Sequence, residues 1–270
     1  MNKSRLPFKQ VAGHCLLLSA SALSIGCGSQ SDRGLEQMVE QSYQVEPNAS
    51  LSVRNTDGSI RIYGSEGSEL KLQAIKRAYT SERLNKISVD VSAQSGFVSI
   101  ETNYPPKPGS VWSDRSGTVD YVILLPQSCS VSRLELANGE VLVEGMRGEN
   151  VKASLVTGRL MGRNCFGDAQ LLVTSGRLDV VYDWWEKRRF LVDARIVNGN
   201  AQCFIPGSAS FHLMATAPNG KVASEFGKSQ DEQRGAVKKV DATIGTDAQA
   251  DLKIHAGDGS IKIAAVNFKL

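Results

Sequence analysis

Apolar and polar residues alternate with a period of two along most of this chain, the signature of strands that turn one face to a core. From Tyr43 onward the apolar positions pair up as Leu51 and Val53, Ile60 and Ile62, Leu70 and Leu72, Ile87, Val89 and Val91, and Val98 and Ile100. Leu134 and Leu136, Leu171 and Val173, Leu178 and Val180, Phe211 and Leu213, and Leu252 and Ile254 continue the pattern. Helical spacing is confined to Ser81 to Asn85, enough for one turn or a loop.

A short phrase punctuates the alternation: a small polar residue, a glycine, then apolar and polar residues in turn. It reads Asn55-Thr56-Asp57-Gly58-Ser59-Ile60, Ala137-Asn138-Gly139-Glu140-Val141 and Gly257-Asp258-Gly259-Ser260-Ile261, with variants at Gly158, Gly176, Gly199 and Gly220. From Gly139 the spacings are 19, 18, 23 and 21 residues, then 39, about twice the usual step. A unit this short cannot bury its own apolar face, so it must lie against its neighbours. Asn-Gly between alternating segments is also the strongest local hairpin signal. Like residues at like places favour one coil per repeat, so the expected fold is all-β, a single-stranded parallel β-helix or β-solenoid with coils of about 20 residues. Antiparallel hairpins are admitted in the less regular N-terminal half. The two ends of such a stack need covering, because they expose unpaired backbone. Two stretches leave the pattern: Asn103 to Gly117, with Pro105, Pro106 and Pro108, and the charged run Glu225 to Lys239.

The succession Leu51-Ser52-Val53-Arg54-Asn55-Thr56-Asp57-Gly58-Ser59-Ile60-Arg61-Ile62, a strand ending near Lys76-Arg77-Ala78, Val119 to Pro126, and the Asn138-Gly139 rungs together resemble a known family. It is the bacterial β-strand-repeat family named "putative adhesin", which is similar to head GIN domains. The resemblance covers nearly all of residues 43 to 266 and rests on pattern. It implies a β-helix-like body on the cell envelope and brings no catalytic residues to carry over.

The first 26 residues read as an export signal, with Lys3, Arg5 and Lys9 ahead of an apolar run from Val11 to Ile25. That run of 15 residues is short for a bilayer span. It ends Leu23-Ser24-Ile25-Gly26-Cys27-Gly28-Ser29, which resembles a lipoprotein cleavage site, although Leu23 lies four residues before the cysteine and Ser24 holds the usual leucine place. Acylation of Cys27 is therefore expected, and several acyl chains there would anchor the protein stably. The expected organisation is a signal over 1–26, a flexible tether over 27–42 and a β-solenoid over 43–270. Such a tether would reach on the order of 20 to 24 Å. Gly28 in place of an aspartate points to outer-membrane delivery in a bacterial envelope.

Without residues 1–26 the formal charge falls from +3 to zero, which removes the electrostatic footprint of a nucleic-acid binder. Cys129, Cys165 and Cys203 lack the paired spacing of metal ligands and read as small apolar filler. His212 and His255 fall on outward strand positions. There is no zinc-protease helix, nucleophile elbow, phosphate loop or dinucleotide fingerprint, so neither a metal nor a cofactor is expected. Asp57, Glu140, Asp168, Asp179, Asp183 and Asp193 would matter only if two faced each other across a groove, as in a glycosidase.

One segment stands out: Tyr182-Asp183-Trp184-Trp185-Glu186-Lys187-Arg188-Arg189-Phe190, where the step between glycines stretches to 23. Trp184 and Trp185 are candidates to stack on sugar rings, with Lys187, Arg188 and Arg189 holding acidic groups. The competing reading makes one tryptophan a core cap and the cations a solvated edge. The expected function is a non-enzymatic envelope lipoprotein presenting an adhesion or protein/glycan interaction surface. A periplasmic structural or envelope-stress component, and a carbohydrate-active enzyme, are the alternatives.

Overall fold

Four long strands carry the repeat: β7 (Ser130–Glu144), β8 (Asn150–Arg163), β9 (Asp168–Val181) and β10 (Phe190–Pro206). The computed structural model describes residues 34–106, 116–227 and 238–266. In β8, Val151, Ala153 and Leu155 are buried before the glycine and Leu160 and Gly162 after it, so the phase of the alternation changes within the strand. A regular strand would turn its second half outward. Gly158 prevents that with a φ of +136°, a conformation open to glycine, and both halves face the same core.

Neighbouring rungs pair in parallel with like on like: Leu136 beside Leu155 beside Val173, and Gly139 beside Gly158 beside Gly176. Stacked in this way, each inward Leu, Val or Ile is buried by its counterparts one rung away, worth about 1.5–3 kcal/mol apiece relative to exposure. The buried residues form one continuous cluster that includes Cys129, Cys165 and Cys203, all three as free thiols. Burial pushes the Cys165 thiol up to about 12 and also raises the Cys129 and Cys203 thiols.

The all-β class holds, and the strands form one large mixed sheet that stays open. Its rungs do not follow sequence order. β2 (Ser50–Ser65) lies between β7 on one side and a split rung on the other, made by β5 (Phe97–Asn103) and β6 (Thr118–Pro126). At the far end β14 (Ala250–Asp258) and β15 (Ile261–Val266) pair with β10. They separate it from β11 (Phe211–Thr216) and β12 (Val222–Ser224). The last described rung in the chain is thus inserted between two earlier ones. A Cβ on Gly259 would meet the Gly199 carbonyl, and one on Gly220 would meet the Gly259 carbonyl.

Antiparallel strands extend both ends. β3 (Glu69–Ala78) joins β6 to β1 (Leu35–Gln44), and β4 (Ser88–Gln94) pairs with β5. β13 (Lys239–Ile244) runs antiparallel to β11, in the half of the chain where no hairpin was expected. Residues 35–42, expected to belong to a flexible tether, form part of β1. Their polar composition hides cross-strand partners: Glu36 takes the Arg77 guanidinium at 2.8 Å, and Glu40 accepts from Gln73 at 2.8 Å. Val39 and Tyr43 pack against the core. Ser81–Lys86 is α1, capped by the Thr80 hydroxyl, which accepts from the Arg83 amide. Arg83 in turn holds both sides of the proline-rich excursion, donating to Pro106 O and Ser116 O.

Candidate functional site

The stretched step between Gly176 and Gly199 places residues 182–189 outside any strand, at the corner where one rung passes to the next. Tyr182 and Phe190 flank it and are buried. Trp185 packs between them and Phe211, with ring centroids 5.2, 5.6 and 5.5 Å away. Phe226 continues this aromatic series at 5.3 Å from Phe211, and Phe166 begins it at 5.3 Å from Tyr182. Trp185 is therefore a supporting member of the core. Trp184 leans on Phe166 at 5.9 Å, keeps 45% of its surface exposed and donates its indole N–H to Glu186 at 3.2 Å.

Glu186 is the hinge of the local electrostatics. Arg147, from the corner two rungs earlier, donates both guanidinium ends to its carboxylate, the first at 2.7 Å, and lies over the Phe166 ring. Burial alone would raise the Glu186 carboxyl. Hydrogen bonds from Arg147 and Trp184, with the charges of Arg147 and Arg188, outweigh it and hold the carboxyl below its ordinary value. The bidentate pair fixes the corner as a planar fork, which a lysine could not do.

Beside this clamp an open groove of about 740 Å³ runs across the rungs, lined among others by Asn48, Arg147, Glu149, Asn150, Lys152 and Asp168. Arg188 and Arg189 line it as well. A second groove of about 600 Å³ shares Lys152 and Gln170 with the first and continues over Ser154, Leu172, Asp193 and Arg195. Within that second groove Arg195 is tied to Asp193 through two contacts of 2.7 and 2.8 Å, and Arg133 to Glu135 at 2.7 Å. No carboxylate among the described residues lies in ion-pair distance of Lys152, Arg188 or Arg189. Asp168 already accepts from the Leu191 amide at 2.8 Å. The Asn150 Oδ1 atom is buried without a donor.

Of the residues singled out from sequence, Arg188 and Arg189 reach this groove, Lys187 is exposed, Trp184 stands behind the Arg147–Glu186 pair, and Trp185 is packed inward. Cys27 lies outside the described residues. Sequence reading missed Arg147, Asn150, Lys152 and Gln170. Lys152 and Gln170 hold the same place in successive repeats and pair directly, so aligning the repeats on their glycines would have found them.

The carboxylates weighed for acid–base work are mostly engaged elsewhere. Asp179 is buried under Arg159 and Arg177 at 2.7 and 2.8 Å, and Asp183 accepts from Arg163 and Asn164 at 2.7 and 2.8 Å. Asp57 accepts from Asn138 at 2.9 Å. His212 faces outward between Asp251 and Asp241 at 3.2 and 3.1 Å, bridging β14, β11 and β13. Among the described residues no group of three or more His, Cys, Asp or Glu side chains is placed to hold a metal ion.

This fold is shared with a solved structure. It is a "putative cell adhesion protein" from Clostridium sporogenes, 17% identical, with a TM-score of 0.51 over 84% of this chain and 99% of that one. A "putative adhesin" from Bacteroides fragilis, at 13% identity and a TM-score of 0.30, covers 84% of this chain and 97% of its own. A "putative lipid binding protein" from Parabacteroides distasonis, at 11% and 0.31, covers 84% and 96%. No family model matches the chain. No curated protein matches it in sequence.

Proposed function

We propose that this protein is a non-enzymatic interaction module of a bacterial envelope, tethered by lipid on Cys27, whose bent parallel rungs wind as a solenoid and present an adhesion surface. The observation that carries the reading is the in-register stack itself. Outward residues of successive rungs fall in rows, Lys152 beside Gln170 beside Asp193, and these rows line grooves that cross the strands. Such a surface suits an extended partner, because it repeats one contact geometry along its length at about 4.8 Å per rung. The shared fold with a protein described as a cell adhesion protein supports it. The engagement of Asp179, Asp183 and Asp193 by arginines argues against a hydrolase, which keeps its carboxyl pair open to substrate.

The test is protease treatment of intact cells, following the protein by antibody with a periplasmic protein as the leakage control. Digestion without leakage is the expected result. Full protection would retire the surface role and leave a periplasmic one.

A further inference from the structure

We propose that the groove over the corner formed by Glu149, Asn150, Lys152, Asp168, Arg188 and Arg189 binds an acidic polysaccharide, a hydroxyl-rich chain carrying spaced carboxylates. The proposal deepens the reading of the protein as an interaction module by naming the ligand class of one surface.

The groove draws residues from the approach to β2 (Asn48), from β8 (Asn150), from β9 (Asp168) and from the approach to β10 (Arg189). It therefore runs along the stack, across several rungs of about 4.8 Å each. A ligand lying in it must be elongated. The strands beneath it spend their main-chain groups on their parallel neighbours. An extended peptide, which adds to sheets through its own main chain, finds no edge here.

Arg147 is neutralised by Glu186, which leaves Lys152, Arg188 and Arg189 as cations without an ion-pair partner among the described residues. Glu149 and Asp168 stand among them. A densely charged polyanion is repelled by those two carboxylates, whereas a chain with an occasional carboxylate satisfies the cations and lets its hydroxyls donate to Glu149 and Asp168. The Asn150 side chain lines the same groove beside them. Gln170, exposed and shared with the second groove, extends the polar lining in the same direction.

The experiment is calorimetric titration of the full-length protein in detergent micelles with oligogalacturonate, with neutral dextran, dextran sulfate and poly-L-glutamate as comparison probes. Oligogalacturonate is expected to bind more tightly than all three. The Arg188→Ala/Arg189→Ala double variant should weaken that binding about tenfold, equivalent to 1.4 kcal/mol, with an unchanged melting temperature. Trp184→Ala, outside the groove lining, should leave it within about twofold. Equal binding of dextran would show that the cations are not used. Equal or tighter binding of dextran sulfate or poly-L-glutamate would show generic charge attraction. Absence of any binding, or binding unchanged in the double variant, would also overturn the proposal. Because the purified protein is used, these outcomes are independent of whether the intact-cell test places the protein on the surface.

Discussion

Replacing Gly158 with alanine is the sharpest test of how the rungs are built. The added Cβ would sit 1.9 Å from the Gly139 carbonyl oxygen, a backbone atom of the adjacent rung, and the residue's φ of +136° is one that L side chains rarely adopt. Holding alanine in such a region costs about 1–3 kcal/mol. The carbonyl must also retreat by more than an ångström, which breaks one or two ladder hydrogen bonds worth about 1 kcal/mol each. The sum is about 2–5 kcal/mol, a large part of the 5–15 kcal/mol by which a domain is typically stable. Urea unfolding followed by circular dichroism and tryptophan fluorescence should show the midpoint falling by at least about 0.7 M, for a slope near 3 kcal/mol/M. Gly67→Ala is the control: it sits in the turn between β2 and β3, where an added Cβ would meet nothing beyond its chain neighbours closer than 4.0 Å, and should change stability by less than about 0.5 kcal/mol. A Gly158→Ala protein within about 1 kcal/mol of the parent would refute the claim that the close glycine column holds the rungs together.

Trp185→Ala removes a ring packed against Tyr182, Phe190 and Phe211 and should cost about 3–4 kcal/mol, while Trp184→Ala, half exposed, should cost about 1 kcal/mol or less; equal losses in thermal melts would contradict the inward assignment of Trp185. Cys129, Cys165 and Cys203 should stay unlabelled by a thiol reagent in the native protein at pH 8 and react together in urea, as counted by mass spectrometry; labelling of Cys165 without denaturant would show that it is not enclosed. The same thiols have a sign in pH: their folded values lie above the ordinary 9.0, so the fold favours the protonated form and its stability is complete below pH 9. It should decline as pH rises from there toward the Cys165 value of about 12, and a denaturation midpoint that rises between pH 9 and 11 would reverse the argument.

Much of the candidate site was legible only in part, for a physical reason visible in the double tryptophan. Trp184 and Trp185 are adjacent and chemically identical, and in a strand alternation would have assigned their faces. Residues 182–189 are not a strand, so their directions are set by what they meet: Phe166 and Glu186 for one, the Tyr182–Phe190–Phe211 cavity for the other. Lys152, two residues into its strand, was an unremarkable outward lysine until the register laid Gln170 beside it. The polar β1 gave no strand signal of its own, because apart from Val39 and Tyr43 it is exposed, and pairing with β3 holds it.

By itself the sequence determined the all-β class, the inward residues of each rung and the glycine that turns it, because side-chain alternation and the conformational freedom of glycine are local properties. Tertiary structure decided which rung lies beside which. The rungs after Gly139, Gly158, Gly176, Gly199, Gly220 and Gly259 carry similar apolar faces, so each is an acceptable neighbour for several others. Placing β14 and β15 between β10 and β11–β12, and β2 between β7 and β5–β6, depends on packing summed over the whole stack, to which no short segment of the chain holds the answer.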